Sequence, residues 1–192
     1  MQLSAVIRSV LVISVLVIVC LPSSSFAQAW GLVLNGKSIH IDASKDWNES
    51  NWGLGIEHEF NSQDRWVKLA LGNAFIHSQD GMSYMAGGGI KRRFRLPLSR
   101  DYYLDIGAIG FVMSRDDVRR GQPFLGVLPA ITVGTQKIAL NLTYLPGTWA
   151  DKTADLYRAD PSVDGILFLQ LKLDASLLGF GGRRRSLLAA NE

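Results

Sequence analysis

Cysteine is almost missing from this chain: of 192 residues only Cys20 is one. It lies in an N-terminal apolar run, "VLVISVLVIVCL" from Val10 to Leu21, preceded by the lone positive charge of Arg8 and followed by Pro22 and the small-residue site Ala27-Gln28-Ala29. That order reads as a secretory signal peptide over residues 1–29. The run is shorter than the roughly 20 residues a spanning helix needs, and Val19 before Cys20 is not the small residue a lipoprotein signal requires. Once the leader is removed, no disulfide, thiolate or cysteine–metal chemistry remains. Also missing are a glycine-rich phosphate loop, an internal repeat and any long apolar stripe of helical period. The formal charge of +3 falls only slightly when Arg8 leaves, too little to suggest nucleic acid as a partner. No cofactor and no metal are expected.

What is present is alternation. "NWGLGIEHEF" sets Trp52, Leu54, Ile56 and Phe60 against Gly53, Gly55, Glu57 and Glu59. "KIALNLTYL" and "GILFLQLKL" alternate in the same way, with Ile138, Leu140 and Leu142 in one and Leu167 to Leu173 in the other. Period-two patterning predicts strands. Eight are expected, at about 30–41, 50–60, 65–77, 82–95, 101–113, 122–134, 137–145 and 164–173. Several are long enough for a tilted bilayer crossing, which takes about 9–11 residues. Aromatic residues gather at segment ends (Trp52, Phe60, Trp66, Phe75, Tyr84, Phe94, Tyr102, Tyr103, Tyr144), as interfacial girdles do. Even-numbered connections are short and odd-numbered ones tend to be long, which is the outer-membrane pattern. The soluble competitor, a lipocalin-like barrel, would leave the leucine-rich faces in water.

The expected architecture is therefore all-β: an eight-stranded antiparallel transmembrane β-barrel of the outer-membrane type over 30–173. A flexible basic tail at 174–192 follows it. With both termini periplasmic, His40, Ser78 and Arg115 share the outer rim. The basic run "KRRFR", Lys91 to Arg95, then lies at the periplasmic interface, snorkelling toward headgroups.

At these residues the chain resembles the outer-membrane lipid A palmitoyltransferase (PagP) family, over roughly Trp52 to Leu173. "FIHSQDGMSYMAGGG" is similar to the family's strand-loop-strand with its catalytic Asp-Ser pair, Gly89 standing like the glycine that floors an acyl pocket. "MSRDDV" resembles the family's Arg-Asp segment, here Arg115 and Asp116. "VLPAITVG" with "LTYLPGT" keeps two strand-interrupting prolines, Pro129 and Pro146. Proline cannot donate to a ladder, so together they would open the wall, and in the family such a gap admits lipid sideways. The chain also departs from the pattern. His77 occupies the family's aspartate position. Asn51 stands where a second pair of wall prolines would need one, and the N-terminal amphipathic helix is missing.

The resemblance implies a catalytic set of His40, Ser78 and the position of His77, acting on outer-membrane phospholipid and lipid A. Substrate would be held by Gly89, Arg115, Asp116, Pro129 and Pro146. His40 could be a base and Ser78 a nucleophile or oxyanion donor, with Asp80 or Asp116 orienting the histidine. The expected state is a membrane-embedded monomer whose active rim faces outward. Three activities stay open from the residues: acyl transfer from phospholipid to lipid A, an inactive structural or lipid-binding barrel, and lipid A deacylation.

Overall fold

The computed structural model describes residues 29–43, 46–60, 65–97, 101–149 and 163–178. Eight strands follow in order: β1 Ala29–Ile41, β2 Ser50–Phe60, β3 Trp66–Ile76, β4 Met82–Arg95, β5 Tyr102–Arg115, β6 Phe124–Thr135, β7 Ile138–Pro146 and β8 Gly165–Asp174. Each pairs antiparallel with the next, and β8 returns to β1, closing the barrel. Closure leaves no edge strand to be satisfied in lipid. The strand bounds agree with those read from the alternation to within two residues. Residues 1–28 of the expected 1–29 leader and residues 179–192 of the expected tail lie outside the described residues, while Ala29 opens β1.

Every strand turns one side chain out and the next in. Trp52, Leu54, Ile56, Ile90, Ile106, Leu125, Val127, Ile138 and Leu140 are exposed on the outer wall. A continuous apolar exterior of this kind is suited to hydrocarbon rather than water. Exposed aromatics form two rings. Trp52, Tyr84 and Tyr144 lie toward the end where odd-numbered connections emerge, the loop end. Trp30, Trp66, Phe94 and Tyr102 lie at the opposite turn end. Phe75 and Tyr103 do not belong to the girdles. Both are buried inside, Phe75 against Phe168 with ring centroids 5.3 Å apart, and Tyr103 under the Arg93 guanidinium at 4.1 Å.

The run Lys91 to Arg95 also corrects its sequence reading, because alternation splits it. Arg92 stays outside, 5.7 Å over the rings of both Trp66 and Phe94. Lys91 and Arg93 turn inward to a charge network that fills the turn end. There Lys172 donates to Glu57 and, at 2.5 Å, to Glu59. Arg93 meets Asp105 at 2.7 Å and Glu59 at 3.3 Å, and Lys91 donates to Thr132 at 2.9 Å. Thr132 passes a hydrogen bond on to Asn141 at 2.7 Å. Three cations face three carboxylates, which is how charge survives inside a narrow barrel. The expected tail overlaps β8 by one residue. Asp174 ends β8, its carboxylate accepts the Ser176 N–H at 3.0 Å, and Ala175–Leu178 form a 3-10 turn.

Candidate active site

One extra residue in β1 decides where His40 points. The pairing with β8 steps from Asn35↔Gln170 directly to Lys37↔Leu169, leaving Gly36 as a bulge. Because side chains alternate with period two, a single inserted residue exchanges the two faces beyond it. Val33 and Asn35 are buried before the bulge. Ser38 and His40 are turned inward after it, with Ile39 and Ile41 exposed. The His40 side chain is only 3% exposed and stacks on Trp47, ring centroids 5.4 Å apart and planes 12° apart. Among the described residues, neither ring nitrogen has a hydrogen-bond partner. The carboxylate facing it belongs to Glu49, whose Oε1 is 3.7 Å from His40 Nδ1. Glu49 is itself anchored, accepting from the His40 backbone N–H at 3.0 Å and from Lys37 Nζ at 2.9 Å. The His40 amide first, and then Lys37, hold the Glu49 carboxyl below the usual glutamate range.

His77 and Ser78 lie in the tight loop between β3 and β4. The His77 N–H donates to Gly81 O at 2.8 Å, the Asp80 N–H to His77 O at 3.0 Å, and Asp80 takes a left-handed φ of 64°. The Gln79 amide donates to His77 Nδ1 at 3.2 Å, which leaves the ring proton on Nε2. That nitrogen donates to Asp116 Oδ1 at 2.5 Å, across from the β5–β6 loop. Gly81 makes this approach possible, since a Cβ there would run into both Asp116 carboxylate oxygens and His77 Nε2. The hydrogen bond from His77 holds the Asp116 carboxyl below its ordinary value. Asp117 Oδ1 stands 3.6 Å from the same nitrogen, so His77, Asp116 and Asp117 offer three donor atoms within 4.8 Å of one another. This trio is spaced for a metal ion, yet Arg115 already takes both Asp117 oxygens, at 3.0 and 2.7 Å. A guanidinium so placed opposes a second cation.

Below this rim is a cavity of about 150 Å³. His77, Ser78 and Arg115 line its mouth, Leu71, Met85 and Phe111 its apolar sides, and Glu57 and Lys91 its polar floor. Gly89 was expected to be a bare floor and is not among the lining residues. A Cβ there would press on Ala108 O at 2.5 Å and Ile109 Cγ1 at 2.9 Å, so the glycine lets β5 approach β4, and Ile109 takes the space.

The wall differs from seam to seam. β5 pairs with β6 through Pro129 without a shift, all the way to Met113↔Phe124. β6 pairs with β7 only from Gly134↔Ala139 to Ala130↔Thr143, so the ladder stops one residue short of Pro129. Continuing the register would set Pro129 opposite Tyr144 and Pro146 opposite Val127, so the prolines bracket the opening without facing each other. Leu128, Ala130, Thr143 and Leu145 on its two sides all line the cavity. At the β1–β2 seam, where the second proline pair is missing, the wall continues upward. Ser38 N donates to Glu49 O at 2.9 Å, while Asn51 Nδ2 ties β2 to β3 through Ile76 O at 2.8 Å.

His40, His77, Ser78, Arg115 and Asp116 thus converge on one end of the barrel without forming one contact network. His77, Ser78, Arg115 and Asp116 surround the mouth. His40 sits at the same end and, among the described residues, is linked to Ser78 through the intervening loop, where Asn48 N donates to Ser78 O at 3.0 Å and Asn48 Nδ2 to Asp80 at 2.6 Å. The acid that orients a histidine is Asp116 for His77, and Asp80 serves the loop instead. Sequence reasoning missed Glu49, Trp47, the Gly36 bulge and Gly81. The only signal for the bulge was the Asn-Gly pair in mid-strand.

An interior cavity mouthed by histidine, serine and arginine, set inside an apolar-walled closed sheet, defines an outer-membrane-type barrel with an internal site. The family described as antimicrobial peptide resistance and lipid A acylation protein PagP matches residues 29–157, and the chain belongs to it. Over 122 residues it is 31% identical to the lipid A acyltransferase PagP of Bordetella pertussis, covering 60% of this chain and 66% of that protein. The protein of the same name from Methylobacillus flagellatus is 27% identical over 107 residues, covering 55% of this chain and 56% of its own length. The chain therefore spans somewhat less than two thirds of the curated relatives it matches. Among solved structures, the outer membrane protein Ail of Yersinia pestis is a distant likeness, with a TM-score of 0.38 and 9% identity over 76% of this chain and 98% of that one.

Proposed function

We propose that the protein is a lipid A acyltransferase of the outer membrane, moving a fatty acyl chain from phospholipid to lipid A as a monomer with its loop end outward. The observation that carries this reading is the cavity: apolar in its walls, mouthed by Ser78, His77 and Arg115, and flanked by the unpaired stretch of the β6–β7 seam. An acyl chain suits the walls, and a seam without ladder bonds suits lateral entry. In the proposed step a lipid A hydroxyl oxygen attacks the phospholipid ester carbonyl as its proton passes to His40. The ester C–O bond then breaks, and the proton returns to the departing lysophospholipid oxygen. The Ser78 hydroxyl supports the charge that develops on the carbonyl oxygen. Arg115 at the mouth is suited to a lipid phosphate.

The test is mass spectrometry of lipid A from cells expressing the wild-type protein, Ser78→Ala or His40→Ala. One added acyl chain, lost in both variants, is the expected result. One chain removed would make the protein a deacylase. No change from a folded wild-type barrel would leave a lipid-binding or structural role.

A further inference from the structure

The His40 imidazole is buried and stacked, yet among the described residues neither nitrogen is hydrogen-bonded. A polar ring in that state carries a substantial desolvation penalty unless something completes it. The group in position is Glu49: its Oε1 lies 3.7 Å from Nδ1, just beyond hydrogen-bond reach. That carboxylate is not a wandering surface group. The His40 amide holds one oxygen and Lys37 the other, and Glu49 O receives the Ser38 N–H, so the residue is fastened to β1 at three points. Arg115, the other charge that acts on His40, is engaged by Asp117 through two hydrogen bonds.

We propose that Glu49 is the positioning carboxylate of the site: it takes the Nδ1 proton of His40 as a hydrogen bond, fixes the ring tautomer, and leaves the Nε2 lone pair as the base. A shift of under 1 Å in ring or carboxylate converts the 3.7 Å approach into that bond. Catalytic hydrogen bonds are often long before substrate arrives. His77 cannot take this part, because its Nδ1 is occupied by the Gln79 amide and its Nε2 by Asp116. The His77–Asp116 pair is instead a latch between the β3–β4 and β5–β6 loops. The inference rests on the reading of His40 as base.

The experiment uses the full-length barrel, refolded in detergent with nitrogen-15 histidine, as wild type, Glu49→Ala and Glu49→Gln. Alanine removes the Oε1 that faces Nδ1, whereas glutamine keeps it as an acceptor, and a heat-dependent mobility shift on gels verifies folding of each. The expected spectrum shows neutral His40 protonated on Nδ1 in the wild type and in E49Q, and moving toward Nε2 in E49A. In parallel, E49A should lower kcat for acyl transfer by about 10²-fold with KM held, with E49Q recovering part of it. A wild-type His40 protonated on Nε2, an unchanged tautomer in E49A, or full turnover in a folded E49A where His40→Ala is inactive, overturns the role of Glu49. A wild type with no transfer activity would sink the acyltransferase reading, while the tautomer comparison would still decide whether Glu49 holds His40.

Discussion

The two ends of this barrel solve the same problem in opposite ways. At the turn end, inward positions carry Glu57, Glu59, Lys91, Arg93, Asp105 and Lys172, and the charges fill the interior by satisfying one another. At the loop end, inward positions carry polar atoms with no hydrogen-bond partner among the described residues: Ser38 Oγ, Asn51 Oδ1, Ser83 Oγ and both His40 nitrogens. The seams follow the same division. The β6–β7 ladder is formed toward the turn end and stops at Ala130↔Thr143 on the way to the loop end. A filled, fully bonded half gives rigidity, while a half with a cavity, an open seam and unsatisfied polar atoms is prepared to receive something.

The contrast is broken most severely by removing the keystone of the filled end. Lys172→Met leaves Glu57 and Glu59 buried beside fewer cations, and about 3–5 kcal/mol of stability should be lost, read from denaturant unfolding in lipid vesicles. If the loss is under 1 kcal/mol, the network is not what holds that end together. Inserting one alanine between Lys37 and Ser38 adds a residue beyond the bulge and should rotate Ser38 and His40 to the lipid face, whereas deleting Gly36 would remove the bulge and keep both inward. With the insertion, acyl transfer should fall by about 10²-fold or more, while strand content by circular dichroism persists. Retained activity would mean that His40 is not needed inside.

Gly81→Ala pushes a methyl group into the His77–Asp116 latch and should cost about 1 kcal/mol, the value of a typical hydrogen bond. The same substitution placed on Asp116→Ala should add almost nothing, and an additive double mutant would argue against the latch. The smallest effect concerns acid. Because the folded carboxyl of Asp116 is held below its ordinary value, its bond to His77 contributes above that value and is lost as pH falls through the lowered one. Asp116 is 67% exposed and screened, so the difference between wild type and Asp116→Asn should stay within about 0.5 kcal/mol at neutral pH and vanish as pH falls through that lowered value.

Strand number, strand bounds and the lipid-facing belt were legible in the chain because they depend on a local, repeating signal. Trp52, Leu54 and Ile56 alternate with glycine and glutamate whatever the rest of the molecule does. Exceptions arose wherever a partner strand decided the outcome. Phe75 reads as a girdle residue from its place at a segment end, but its register turns it inward against Phe168. Lys91 to Arg95 reads as one basic patch, but alternation sends Lys91 and Arg93 to carboxylates on β2 and β5, leaving Arg92 outside. Gly89 reads as empty space, but the side chain of Ile109 covers it.

The candidate site divides along the same line. His40, His77, Ser78, Arg115 and Asp116 could be named from motif and strand parity, and all of them do reach one end. Their pairing could not be named. Whether His77 meets Asp116 or Asp80, and whether His40 faces a carboxylate at all, depends on loops separated by tens of residues. The amino-acid sequence alone determined that this is a closed, lipid-embedded β-sheet with histidine and serine at one rim, because the period-two pattern and the strand count suffice for that. Only the tertiary structure decided which histidine is latched and which is left poised beside Glu49. A single bulged glycine reverses the facing of everything after it, and no periodicity within β1 reports the partner strand that makes it a bulge.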